Sequence, residues 1–188
     1  MASATAIAEL RKAQAGVTAL VRRDMARFYG NLDLTDAEAA RDELLDYVPQ
    51  LVNRYGEVAA TVAADWYDGV RAAAGAHGSF RASLVVPDKT DAVNQTIRRA
   101  VGDLFGENPD TETVLNAIAG KAEVYALDGS RLTIANASTN DPAAKGWERI
   151  ADDGACEYCL GLTGILWTTY EPNFLPHIGC NCIAVPTF

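Results

Sequence analysis

The longer, N-terminal part of the chain repeats its apolar side chains at intervals of three and four. Ile7, Leu10, Val17, Val21, Met25 and Phe28 fall on one stripe while Arg11, Lys12, Arg22 and Arg23 lie off it, the period of a helix with one buried face. That helix is expected to end near Gly30. A second begins at Thr35-Asp36-Ala37-Glu38, where Thr35 can cap the free N–H groups and Glu38 can reach back to complete a capping box. Its stripe runs through Ala40, Leu44, Val48, Leu51, Tyr55, Val58, Val62 and Trp66. Pro49 lies inside this stripe, so the pattern predicts either a kink or two helices meeting with Pro49 in the first turn of the second. Joined by a short turn at residues 31–34, the two long helices would pack antiparallel, their alanines letting the backbones approach closely. The stripes hold no convergent polar residues and read as core, not as a small-molecule or cofactor pocket.

The pattern breaks at Gly75, Gly78 and Pro87, an exposed connection in which His77 stands alone as a solvated side chain. Helical spacing resumes over residues 88–105 with Val93, Ile97, Val101 and Leu104, and pauses at Gly106-Glu107-Asn108-Pro109. It restarts at Asp110 or Thr111 with Val114, Leu115, Ile118 and Ala122. Asp128-Gly129 leaves open whether this helix reaches Ile134. After the turn Asn140-Asp141-Pro142 the period changes. Trp147-Glu148-Arg149-Ile150, Gly164-Ile165-Leu166-Trp167 and Ile183-Ala184-Val185-Pro186 are short β-prone segments separated by glycine, proline and cysteine. The expected fold is α+β: a mainly helical body of long antiparallel amphipathic helices over residues 1–143, and a small β-rich, metal-clasped module over residues 144–188.

That module contains all four cysteines and one of the two histidines, as Cys156-x2-Cys159 and His177-x2-Cys180-x-Cys182. The first pair has the usual spacing of a thiol knuckle. The second is separated by one residue, but in extended chain residues two apart point to the same face, so both sulfurs can reach one ion. Tetrahedral zinc takes four ligands, and the spacing permits either four cysteines or three cysteines with His177. Two other readings compete: disulfides joining the two pairs, since 180 and 182 are too close to bond without strain, or reduced, buried thiols. A catalytic zinc would need an open position and a general base, for which Glu157 and Glu171 stand near in sequence. A Cys–His nucleophile would need a third orienting group, and none stands out. The cluster therefore reads as a structural staple and the chain as no enzyme.

With 188 residues, 49% of them apolar, the chain can bury a core as one domain or as one domain with an appendage. No apolar run approaches the ~18–20 residues of a membrane span, and residues 1–5 lack the charged start and apolar core of a secretory signal. Synthesis in a reducing cytosol follows, which favours metal over disulfide. The net charge of −9 argues against general nucleic-acid binding. The cysteine module agrees: Lys145 and Arg149 face Glu148, Asp152, Asp153, Glu157 and Glu171, a balance that repels phosphate and weighs against a zinc-ribbon nucleic-acid binder.

The run Gly146-Trp147-Glu148-Arg149-Ile150, then Asp153-Gly154-Ala155-Cys156-Glu157-Tyr158-Cys159, Gly164 before a strand, Pro176-His177, Cys180-Asn181-Cys182 and Val185-Pro186-Thr187-Phe188 resembles the Mu F-like minor head proteins of tailed bacteriophages, those of actinobacteriophages most of all. The likeness covers about the last 45 residues, and only in general character the helices before them. The Cys and His positions match the family's motif one for one, while Ile178-Gly179 replace an often more polar spacer. The resemblance implies a minor capsid or head morphogenesis role in the virion, inside the head or at the portal vertex, with portal or inner capsid proteins as partners. Related chains are sometimes fused to a capsid protease, but no Gly-x-Ser-x-Gly elbow or Ser–His–Asp set occurs here.

Overall fold

The computed structural model of the chain describes residues 2–152, 154–170, 174 and 177–188; Asp153, Glu171 and Pro176 of the motifs above lie outside the described residues. Helix α1 (Ala4–Tyr29) begins where the Ser3 hydroxyl accepts the Ala6 N–H, and it buries Leu10, Gln14, Val17, Val21, Met25 and Tyr29. The expected stripe is the buried one, with Ile7 and Phe28 at its half-buried margins.

Helix α2 (Ala37–Ala73) is capped one residue later than expected. Thr35 is engaged in its own turn, donating its hydroxyl to Asp33 at 2.6 Å, and the Asp36 carboxylate accepts the Ala39 N–H at 3.0 Å. The helix runs through Pro49 as one element. An interior proline costs about 3 kcal/mol, whereas each fully buried Leu or Val contributes about 1.5–3 kcal/mol, and Leu44, Val48, Leu51 and Val52 are all buried around it. Past Tyr55 the buried face is not the expected Val58, Val62 and Trp66 but Ala59, Ala60, Ala63, Ala64 and Tyr67; Val58 is 41% exposed. A third helix packs here, and small side chains let it come close.

Residues 76–89 form an extended strap without regular structure. The Ala82 N–H donates to Asp68, Val85 exchanges hydrogen bonds with the Thr133 hydroxyl, and His77 is exposed. Helix α3 (Thr90–Ala100) starts after Asp88, whose carboxylate accepts the Thr90 N–H, and it continues into a 3-10 turn over Val101–Phe105.

Helix α4 (Thr111–Asn140), capped by Asp110, passes unbroken through Asp128-Gly129. Gly129 marks the point where α4 crosses α2: a methyl group there would stand 2.2 Å from the Gly56 carbonyl oxygen. From Ala126 to Ala135 every side of the helix is buried, which erases the amphipathic period expected of a surface helix. Thus α4 is the central helix, packed against α1, α2 and α3. Its C-terminal cap Asp141 receives Arg71 Nε at 2.8 Å and the Tyr67 hydroxyl at 3.1 Å, while the same guanidinium donates to the carbonyls of Ala76, His77 and Gly78.

Strand β1 (Gly146–Ile150) is followed by a one-turn helix, α5 (Glu157–Gly161), which sequence periodicity did not signal, then β2 (Leu166–Trp167) and β3 (Ile183–Thr187). The sheet is antiparallel in the order β2-β1-β3. Gly146, at φ +144°, lets β1 approach β2, since a methyl there would stand 2.2 Å from the Trp167 carbonyl oxygen. One core joins sheet to helices: Leu10, Ala63, Tyr67, Ile134, Ala135 and Ala137 pack with Trp147, Ile183, Ala184, Val185 and three of the cysteines. The architecture is α+β, mainly helical with a small C-terminal sheet. Among the described residues no helix is long and apolar enough to cross a membrane.

Candidate metal centre

Sequence spacing and chain topology converge on one place. Cys156 caps the start of α5 and Cys159 sits one turn on, while a tight turn between β2 and β3 brings back His177 and Cys180, with the Cys180 N–H donating to the His177 carbonyl at 3.0 Å. Gly179 takes the positive φ of +77° that this turn requires. Cys182 follows at the entrance to β3. Two groups result, Cys156–Cys159–His177 and Cys159–Cys180–Cys182, with all donor atoms inside each group within 4.8 Å of one another. Cys159 belongs to both.

The separations suit a tetrahedral ion. Zinc bonds of about 2.3 Å to sulfur and about 2.0–2.1 Å to nitrogen put two sulfurs about 3.8 Å apart, and a sulfur and a nitrogen about 3.5 Å apart. Cys159 Sγ lies 3.9 Å from Cys180 Sγ and 3.6 Å from His177 Nε2. Cys156 Sγ lies 3.0 Å from Nε2, a hydrogen-bond distance. His177 Nδ1 is 2.9 Å from the Ile178 carbonyl, which can only accept, so Nδ1 carries the proton and the Nε2 lone pair faces the thiols. A ring nitrogen anchored on a backbone carbonyl, with the other free, is the usual posture of a metal-binding histidine.

The surroundings favour the thiolate at Cys180 and Cys156 and the thiol at Cys159 and Cys182. Cys180 is held down to about 5 by hydrogen bonds from the Cys182 side chain and backbone N–H, with Arg131 assisting; Cys182, which retains the proton of this buried pair, is pushed up. Burial raises Cys159, the Cys159 backbone N–H lowers Cys156, and the Ile178 carbonyl raises His177. Cys159, Cys180 and Cys182 are buried and Cys156 lies at the surface. All four are free thiols in this structure, so the residues expected from sequence do assemble, and they can hold a metal ion. Glu157 is exposed on α5.

Two arginines that sequence reasoning passed over complete the site. Arg131 of α4 is fully buried and donates Nη2 to the Cys180 carbonyl at 2.7 Å and Nε to the Cys182 carbonyl at 3.1 Å. Arg149 of β1 is 4% exposed, places Nη1 3.7 Å from Cys159 Sγ, and donates Nη2 to the Phe174 carbonyl. Its guanidinium lies 3.9 Å from the Phe174 ring centroid, and Trp147 stacks between Phe174 and Trp167. The available signal for Arg131 was a lone arginine inside the small and apolar run from Val124 to Ala137.

No curated protein and no solved structure matches the chain. The description of one family, VG15 protein, matches residues 1–188. With its whole length matched, the chain belongs to the VG15 family of phage gene products.

Proposed function

We propose that this chain is a structural minor capsid or head morphogenesis protein of a tailed phage, acting inside the head near the portal, with a zinc ion stapling its C-terminal module. Its partners are portal or inner capsid proteins, met through the faces of the long helices; no nucleic-acid sequence, membrane or small-molecule substrate is involved. The observation that carries this reading is the burial of three of the four thiols in a core shared with α1, α2 and α4. A nucleophile or an open catalytic ion must be reached by substrate, whereas a cross-link is best placed out of reach. Membership in a phage family and the Mu F-like motif support the assembly role.

Cysteines from the set Cys156, Cys159, Cys180 and Cys182, with or without His177, would hold the ion. When bound, zinc would fix two chain segments, residues 156–159 and 177–182, at one point and would make metal binding part of folding. The chain's own residues do the rest: α5 presents the first pair, the turn at Gly179 the second, and β3 ties both to α4.

Mass spectrometry of purified proheads and mature heads tests the role. Its detection at a few copies per particle, together with near-stoichiometric zinc in protein purified without chelator, is the expected result. Absence from both particle types would refute the assembly role. Zinc-dependent hydrolysis lost in Cys180→Ser, with the fold retained, would instead favour a hydrolase.

A further inference from the structure

Two buried arginines stand beside the cysteine cluster; Arg131 shares its one carboxylate with a lysine, and Arg149 pairs with none among the described residues. Asp128 is the only acidic partner of Arg131 among the described residues, at 3.2 Å, and it is shared with Lys89 Nζ at 2.9 Å. These three groups together carry one net positive charge. Arg149 adds a second, and no carboxylate among the described residues pairs with it. Charge buried without a full counter-charge is destabilising, so an anion beside these guanidiniums would be stabilising.

Neutral thiols or a disulfide do not supply one. A divalent ion held by four thiolates carries two negative charges, and one held by three thiolates and a neutral imidazole carries one. The contacts have matching direction. Arg149 Nη1 points at Cys159 Sγ, the sulfur common to both donor groups, and Arg131 grips the chain of the other group through the carbonyls of Cys180 and Cys182. Arg131 Nη1 also donates to the Val124 carbonyl at 3.1 Å, so its plane is fixed from within α4.

We propose that Arg131 and Arg149 are the positioning residues of the metal centre: they neutralise the metal–thiolate cluster, and Arg131 holds Cys180 and Cys182 in register so that the helical body sets how tightly the module binds zinc. This inference rests on the structural zinc site proposed above. It extends that site from the five donors to the interior of α4. A metal centre whose outer partners come from the body cannot be transplanted as an isolated knuckle pair without losing affinity.

The test is zinc affinity of the full chain, read by competition with a chromophoric chelator, and cobalt(II) substitution, read by the ultraviolet sulfur-to-metal band. Arg131→Gln and Arg149→Gln should each weaken zinc binding by about 10–100-fold. Arg131→Lys should recover part of that loss, because it restores charge but cannot divide itself between two carbonyls. Its cobalt band at matched occupancy should be altered from that of the parent. Asp128→Asn supplies the control: it keeps Arg131 and its carbonyl bonds, so it should lower the melting temperature while leaving zinc affinity unchanged or tighter. This variant also serves if the arginine variants do not fold, since a tenfold weakening in it would overturn the charge argument. Parent-like affinity in the arginine variants would overturn this inference alone, whereas failure of the parent to bind zinc or cobalt would remove the zinc site as well.

Discussion

Replacing Cys159 with serine removes the one donor common to both groups of the cluster, and the structure sets the size of the effect. Its sulfur is fully buried, 3.6 Å from His177 Nε2, 3.9 Å from Cys180 Sγ and 3.7 Å from Arg149 Nη1. Serine cannot replace a thiolate on zinc, so the variant should lose whatever stability zinc confers. For the parent at free zinc 100 times Kd, mass action gives about 2.7 kcal/mol. In a chain of this size about 1 kcal/mol moves the melting temperature by about 2–4 °C, so zinc should raise Tm by about 5–11 °C over the chelated protein. In Cys159→Ser that increment should vanish while the chelated proteins melt within a few degrees of each other. Cys156→Ser, which changes a surface thiol present in only one group, should retain more of the increment. The assay is a set of three melts: with zinc and with chelator, both in reductant, and one without reductant or added metal. A full increment in Cys159→Ser would refute the cluster as the zinc site, and a parent Tm that responds to reductant but not to chelator would establish a disulfide staple instead.

Three further outcomes follow from the helical body. Gly129→Ala should destabilise by about 1–3 kcal/mol, because its methyl meets the Gly56 carbonyl oxygen at 2.2 Å, whereas Gly16→Ala, with nothing within 4 Å, should stabilise by up to about 1 kcal/mol; urea titration separates the two. Arg71→Leu leaves the fully buried Asp141 carboxylate, among the described residues, with the Tyr67 hydroxyl and the Ala143 N–H, and should cost about 3 kcal/mol, seen as a Tm lower by about 6–12 °C. The Asp24 carboxylate is held below its ordinary range by the Tyr55 hydroxyl at 2.6 Å and by Arg23, so its contribution is full above about pH 4 and is lost as pH falls through the lowered native value. Tyr55→Phe should therefore cost about 1 kcal/mol at pH 7, with the gap to the parent closing in acid; a gap that persists unchanged below pH ~2 would contradict the linkage.

What could be read from sequence divides along burial. Helix α1 and the start of α2 showed themselves because each has one buried and one wet face, the condition that produces a period, whereas the strand segments showed through short β-prone runs set off by glycine, proline and cysteine. The middle of α4 did not, because residues 126–135 are buried on all sides and Gly129 resembles a stop signal when its purpose is a helix crossing. The second half of α2 misled for a related reason: alanines face α4, so the larger Val58 and Val62 drew the stripe to the wrong side. The five donors of the candidate site were legible because cysteine is scarce and its spacing is chemically restrictive. Arg131 and Arg149 were harder to read: the small and apolar run around Arg131 hints at burial but not at which groups it meets, and Arg149 gives no local sign of whether it faces water or a buried carbonyl.

The register of the sheet has a mechanical consequence. Thr187 of β3 pairs with Gly146 of β1, so the chain enters the sheet from α4 and reaches Phe188 at the same end. Tension applied between the helices and Phe188 opens this antiparallel pair from that end, one residue pair at a time, and Ile150–Ile183 is the last to part. Only then does the load reach Cys182. The sheet acts as a zipper in series ahead of the cysteine cluster, and the cluster is spared any pull too weak to peel β3 from β1.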